Sequence, residues 1–149
     1  MRHPIAVAAD HRGFELKEKM IRFLKAKRIP VLDYGTNSSE SCDYPDYILK
    51  AAEAVARKKA NRAIGICYTG VGSAIAANKV KGIRAALVQN VRQAGLSRAH
   101  NDSNMLILGA GFTKPSQAEK IIDTWLKTQF EGGRHARRIR KITDYEKRS

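Results

Sequence analysis

At 149 residues, 43% of them hydrophobic, the chain has material for one core, and residues 1–149 are read as a single domain. No apolar run approaches the roughly 20 residues of a membrane span, and Met1-Arg2-His3-Pro4 leads into a strand-like segment rather than a signal peptide, so no membrane partner and a cytoplasmic location are expected. The net charge of +14 (28 basic, 14 acidic) attracts polyanions, but no helix-turn-helix, zinc-finger or RNP-like aromatic pattern accompanies it, which leaves a nucleic-acid-binding module as a remote alternative.

In chain order, Pro4 to Ala9 reads as a first buried strand ending at Asp10-His11-Arg12-Gly13. From Phe14 to Lys27, Leu16, Met20, Phe23 and Leu24 share one stripe with lysines elsewhere, which predicts an amphipathic helix over a sheet. Val31-Leu32-Asp33-Tyr34 is a short second strand closed by Gly35. The serine-rich stretch from Thr36 to Asp43 is a surface loop, and Tyr44-Pro45 restricts the backbone before a helix from about Asp46 to Lys59. Ala63-Ile64-Gly65-Ile66 is a third strand, buried on both faces, with Cys67 at its end and an alanine-rich helix after the turn.

Further on, Ile83 to Val88 is a fourth strand, Val91 to Ala99 a helix, Met105 to Gly109 a fifth strand and Pro115 to Phe130 a long helix. After Gly132-Gly133 comes a short basic helix, about residues 132–149, holding Arg134, Arg137, Arg138, Arg140 and Lys141. Strands alternating with helices predict an α/β fold: a three-layer α/β/α, Rossmann-like sandwich around a parallel sheet of about five strands. Ligands of such sheets bind outside the carboxyl ends of the strands, which brings Asp10-His11 and Cys67-Tyr68-Thr69 to one edge.

The turn Cys67-Tyr68-Thr69-Gly70-Val71-Gly72-Ser73 is the strongest local signal. Gly70 and Gly72 let the backbone turn sharply and present successive N–H groups at a helix start, an anion cradle beside which a thiolate is stabilised. Cys67 is thus a candidate base or nucleophile. A dinucleotide fingerprint is excluded because Ile75 stands where its third glycine belongs, and a Walker loop because no lysine follows Gly72. Cys42 and Cys67 lack any Cys-x-x-Cys or cysteine/histidine spacing, so neither a disulfide framework nor a metal site is expected. His100 precedes a strand instead of following one, which puts it toward the far end of its own sheet; a helix cap or a solvated loop histidine is the ordinary reading, and a functional one gains weight where a site lies between subunits.

Taken together, Asp10-His11, Asp43-Tyr44-Pro45, Cys67-x-Thr69-Gly70-x-Gly72 followed by Asn78-Lys79, Gly82-Ile83-Arg84-Ala85, His100-Asn101-Asp102 and Gly132-Gly133-Arg134-His135 resemble the ribose-5-phosphate isomerase B family. That family also includes the galactose-6-phosphate and allose-6-phosphate isomerases, and the match spans nearly the whole chain. The resemblance implies a cofactor-free aldose–ketose isomerisation of a sugar phosphate through a cis-enediolate. Cys67 matches the family's base, the amides of Gly70, Val71, Gly72 and Ser73 its oxyanion donors, Thr69 a proton-transfer aid and His100 its ring-opening acid/base. Asp10 and Asn101 match sugar contacts, and His11, Arg134 and Arg138 the phosphate grip. The family's homodimers, sometimes tetramers, share sites between subunits, and the basic C-terminal helix is expected at that interface.

Two departures bear on the substrate. Tyr68 stands where the family usually has glycine, and Gly111 where it commonly has a phosphate-binding arginine, with Arg137 the candidate replacement. Tyr44, Tyr68 and the loop after Gly35 are therefore the positions expected to decide between a five-carbon and a six-carbon sugar phosphate.

Overall fold

A computed structural model describes residues 3–148; Met1, Arg2 and Ser149, the ends of the expected domain, lie outside the described residues. The strands are β1 (Ile5–Ala9), β2 (Val31–Asp33), β3 (Arg62–Cys67), β4 (Ala85–Leu87) and β5 (Met105–Gly109). The helices are α1 (Phe14–Ala26), α2 (Tyr44–Ala56), α3 (Val71–Ala77), α4 (Val91–Asn101), α5 (Pro115–Lys127) and α6 (Arg134–Lys147). The sheet runs in the order β2-β1-β3-β5-β4, and every neighbouring pair is parallel. None of the described helices is long and apolar enough to cross a membrane.

The two-residue period of the strands divides the core into two halves. Val7, Ala9, Ile64, Ile66, Leu106 and Leu108 pack with Leu16, Met20 and Leu24 of α1 and Ile121, Ile122 and Trp125 of α5. Ala6, Ala8, Ala63, Met105 and Ile107 pack on the other side with Ile48, Ala51 and Ala52 of α2 and Ala77 of α3. The second face is built of small residues, so α2 lies close: a Cβ on Gly65 would stand 2.9 Å from Ile48 Cδ1 and 3.0 Å from Ile107 Cδ1. This is the expected three-layer sandwich, with helices on both faces.

Strand β4 and helix α5 are shorter than the sequence suggests, and three further differences have a clear local cause. Helix α2 begins at Tyr44, two residues early, because Pro45 fits a first helical turn, where its missing N–H costs nothing. Helix α4 continues through His100 and Asn101 and stops at Asp102, which caps it in the left-handed region (φ 46°). The third is Lys17. Its Nζ is fully buried, bonded to both oxygens of Asp33 (2.9 and 3.0 Å) and to Glu18 (3.0 Å), and Asp33 Oδ1 also accepts the Gly35 N–H at 2.9 Å. A buried ammonium is tolerated only when so paired, and this one ties the end of β2 to α1.

The fold fixes where a ligand goes. The chain moves outward from β1 to β2 and then returns across β1 to β3, so the strand order reverses between β1 and β3. The crevice of a doubly wound sheet opens at such a switch point, outside the carboxyl ends. Here the Asp10 N–H donates to the Ile66 carbonyl at 3.2 Å, which holds the two strands together up to the lip.

Candidate active site

Cys67 ends β3 and is 5% exposed. The Gly70 N–H donates to its sulfur at 3.2 Å, closing the turn around Sγ. Gly70 has φ 80°, and a side chain there would collide with Leu87, so the turn requires glycine. The Val71 N–H donates to Thr69 Oγ1 at 3.1 Å. That bond uses the hydroxyl as an acceptor and leaves its own proton available.

The cradle is narrower than the sequence suggests. Of the four amides from Gly70 to Ser73, one is engaged by sulfur and one by Thr69, and those of Gly72 and Ser73 have no acceptor among the described residues. Ser73 is fully buried and its Oγ has no partner, so its side chain does not face the crevice. Tyr44 rests on Gly72, where a Cβ would stand 2.5 Å from the ring carbon Cζ and 2.7 Å from the hydroxyl oxygen.

The loop after β1 forms the facing wall. Asp10 is buried, and its Oδ1 accepts the N–H groups of Arg12 and Gly13, both at 3.0 Å. One carboxylate oxygen therefore builds the β1–α1 turn, and the other has no hydrogen-bond partner among the described residues. His11 Nδ1 accepts the Cys42 N–H at 3.2 Å. That bond assigns the imidazole proton to Nε2 when the ring is neutral, leaving a donor on the far side of the ring. Cys42, in the loop ahead of α2, thus positions His11 through its amide. Tyr68 is 44% exposed beside the thiol, with the Arg12 guanidinium carbon 3.9 Å from its ring centroid.

The remaining candidates are elsewhere. His100 and Asn101 end α4 just ahead of β5, whose first residue, Met105, pairs with Ala63 near the start of β3, whereas Cys67 pairs with Gly109 at the other end. The two ends of β5 are about 13 Å apart at some 3.3 Å per residue. Arg134 and Arg138 lie one helical turn apart on α6, which joins this far edge through His135. A concavity of about 640 Å³ opens there between α6 and the α3–β4 segment, lined in part by Arg84, Asn101, Ile142 and Tyr145, without Cys67. One chain therefore carries two separate sets of groups: Asp10, His11, Tyr44, Cys67, Tyr68, Thr69 and the Gly70–Ser73 turn at one edge, and His100, Asn101, Arg134 and Arg138 at the other.

The sequence profile of the family described as ribose/galactose isomerase matches residues 5–142. The chain belongs to that family. Among its relatives, the ribose-5-phosphate isomerase B of Escherichia coli is 46% identical over 144 residues, covering 97% of either chain. A ribose-5-phosphate isomerase B structure from Clostridium thermocellum superposes with TM-score 0.96 at 50% identity, covering 97% of this chain and 98% of its own. That of Mycoplasma genitalium with bound ribulose-5-phosphate gives TM-score 0.94 at 44% identity, covering 98% and 97%.

In this ribose/galactose isomerase chain the far edge is held by groups that sequence reasoning left unused. Asp102 bonds Arg98 at 2.8 Å and faces Arg84 at 3.5 Å, while Arg98 also donates to the Ser103 carbonyl. These bonds lock the end of α4 that carries His100. The His135 ring stacks on His100 with centroids 4.3 Å apart and planes 12° apart, and Glu131 is 3.6 Å from its Nε2. Ligand atoms of His100, Glu131 and His135 lie within 4.8 Å of one another. Stacked imidazoles direct their in-plane lone pairs side by side, however, not onto one ion, so the arrangement orients a ring and does not form a chelate.

Burial, His100 and Arg134 together hold His135 below the usual imidazole range, outweighing Glu131. A histidine that resists protonation when folded stabilises the protein above its unfolded pKa of 6.5, and that contribution is lost as pH falls through the lower folded value. His135→Gln is therefore expected to flatten the loss of stability below pH 6.5, read as the shift of urea midpoint between neutral and acid buffers for variant and parent.

Proposed function

We propose that this chain interconverts ribose 5-phosphate and ribulose 5-phosphate through a cis-enediolate, in sites each assembled from the near edge of one copy and the far edge of another. The observation that carries the reading is a strand-end thiol accepting an amide hydrogen bond beside two free amides and the Asp10–His11 loop. Support also comes from the close likeness to a relative solved with ribulose-5-phosphate.

In the forward direction the Cys67 thiolate takes the proton from C2 of the open-chain aldose, and electrons move to the C1 carbonyl oxygen. The amides of Gly72 and Ser73 are the fixed donors nearest that developing charge. Thr69 passes the O2 proton to O1, and the protonated sulfur returns its hydrogen to C1, leaving a C2 ketone. Only protons relocate, so the chemistry is redox-neutral and asks for no hydride carrier. Asp10 orients substrate hydroxyls and His11 donates to the phosphate. From the second copy, His100 opens the sugar ring, Asn101 contacts the sugar, and Arg134 and Arg138 bind phosphate oxygens. A homodimer is the smallest assembly that satisfies this, with α6 at its interface.

Tyr44 packed on Gly72 and Tyr68 packed on Gly111 take up volume beside the turn that follows the thiol, which favours the shorter sugar. The test is kcat/KM for ribose 5-phosphate against allose 6-phosphate and galactose 6-phosphate. A preference of about tenfold or more for the pentose is expected, in line with what one extra carbon unit costs in a fitted pocket. The reverse preference would move the chain to the six-carbon branch of the family.

A further inference from the structure

Arg12 has no task in the chemistry above, yet it is an exposed cation held in place at the crevice. The loops after β1 and β3 contain one arginine, Arg12, and its backbone N–H is tied to Asp10. Its guanidinium lies over the Tyr68 ring and makes no ion pair among the described residues. Tyr68 is itself fixed from two further sides. Phe112 meets it edge-on at 6.1 Å and 60°, and the ring covers Gly111 so closely that a Cβ there would stand 2.5 Å from two ring carbons. Gly111 can carry no side chain while the ring is in place, and any cation on this wall must come from elsewhere.

We propose that Arg12, laid on Tyr68, is the phosphate-binding cation of the Cys67 edge, and that Tyr68 is its positioning residue. A guanidinium held against an aromatic face keeps its edge N–H groups free, the orientation that meets two phosphate oxygens at once. The ligand class is a phosphate monoester, and the neighbouring His11 Nε2–H adds a second donor. Arg137, the replacement expected from sequence, lies on α6 with Arg138 at the other edge, so it cannot serve this wall of its own chain. The inference rests on the proposed sugar-phosphate reading but is tested without turnover.

The experiment measures inorganic phosphate binding by calorimetry on the intact full-length protein, with KM and kcat for ribose 5-phosphate alongside. Arg12→Gln is expected to weaken phosphate binding and raise KM, each about tenfold, with a much smaller change in kcat, as for loss of one charge-assisted contact. Tyr68→Leu should reproduce most of that loss, Tyr68→Phe should retain phosphate affinity because it keeps the ring, and Arg12→Gln/Tyr68→Leu should be no worse than Arg12→Gln alone. Phosphate affinity unchanged in Arg12→Gln, full additivity in the double variant, or no phosphate binding by the parent protein would each overturn the assignment. If the parent fails to isomerise ribose 5-phosphate while its phosphate binding depends on Arg12 and Tyr68, the reaction falls and this assignment stands.

Discussion

Cys67→Ala is expected to lower kcat for ribose 5-phosphate isomerisation by about 10³-fold, within the range attributed to a positioned base. The loss should come with little change in KM, because in the proposed reaction the sulfur acts on the C2 proton while Asp10, His11 and the cations hold the substrate. The fold should survive. Cys67 is small and buried at a strand end, and the bond that deletion removes is the Gly70 N–H contact to sulfur, so a stability cost of about 1 kcal/mol is expected. Cys67→Ser tests the same point with less change of shape, since a hydroxyl fits the position but is far too weak an acid to supply the anion. Turnover at the parental rate in either variant would remove the thiol from the reaction.

The second large effect is complementation. Cys67→Ala and His100→Ala lie at opposite ends of the sheet, so with sites shared as proposed a mixed dimer of the two would contain one site with neither group and one with both. Random reassortment makes half of the dimers mixed, each with one intact site, and activity should recover to about one quarter of the parental value from two nearly inactive stocks. Mixing under conditions that prevent subunit exchange should give only the sum of the residual activities. If exchange is verified by mass and no activity returns, each chain must hold its own complete site, and the proposal of shared sites is wrong.

Much of the architecture was legible because the relevant signals are local. The apolar runs at Ile5–Ala9, Ala63–Ile66 and Met105–Gly109 could only be strands buried on both faces, and helical stripes between them forced a parallel sheet. The rule that ligands bind outside carboxyl ends then brought Asp10 and Cys67 together, and the same rule put His100 at the far edge. Contacts between segments remote in sequence were not legible. Lys17 reads as one of several surface lysines on a helical wheel, and only its approach to Asp33, on a different element, makes it a buried ion. The stacking of His135 on His100 depends on the angle at which α6 meets α4, which no periodicity encodes. Tyr68 and Gly111 read as two unrelated departures from a pattern. In space they are one, because the ring occupies the volume a side chain at 111 would need.

With sites shared between copies as proposed, the placement of the two sets of groups at opposite ends of β5 also governs how damage would spread in a mixed population of chains. A copy lacking only the thiol would then still lend its imidazole to an intact neighbour, and output would decline in simple proportion to its share. A copy injured at both edges disables its neighbour's site as well as its own, and output declines as the square of the intact fraction. Lesions of the first kind are recessive in character, and those of the second approach dominance.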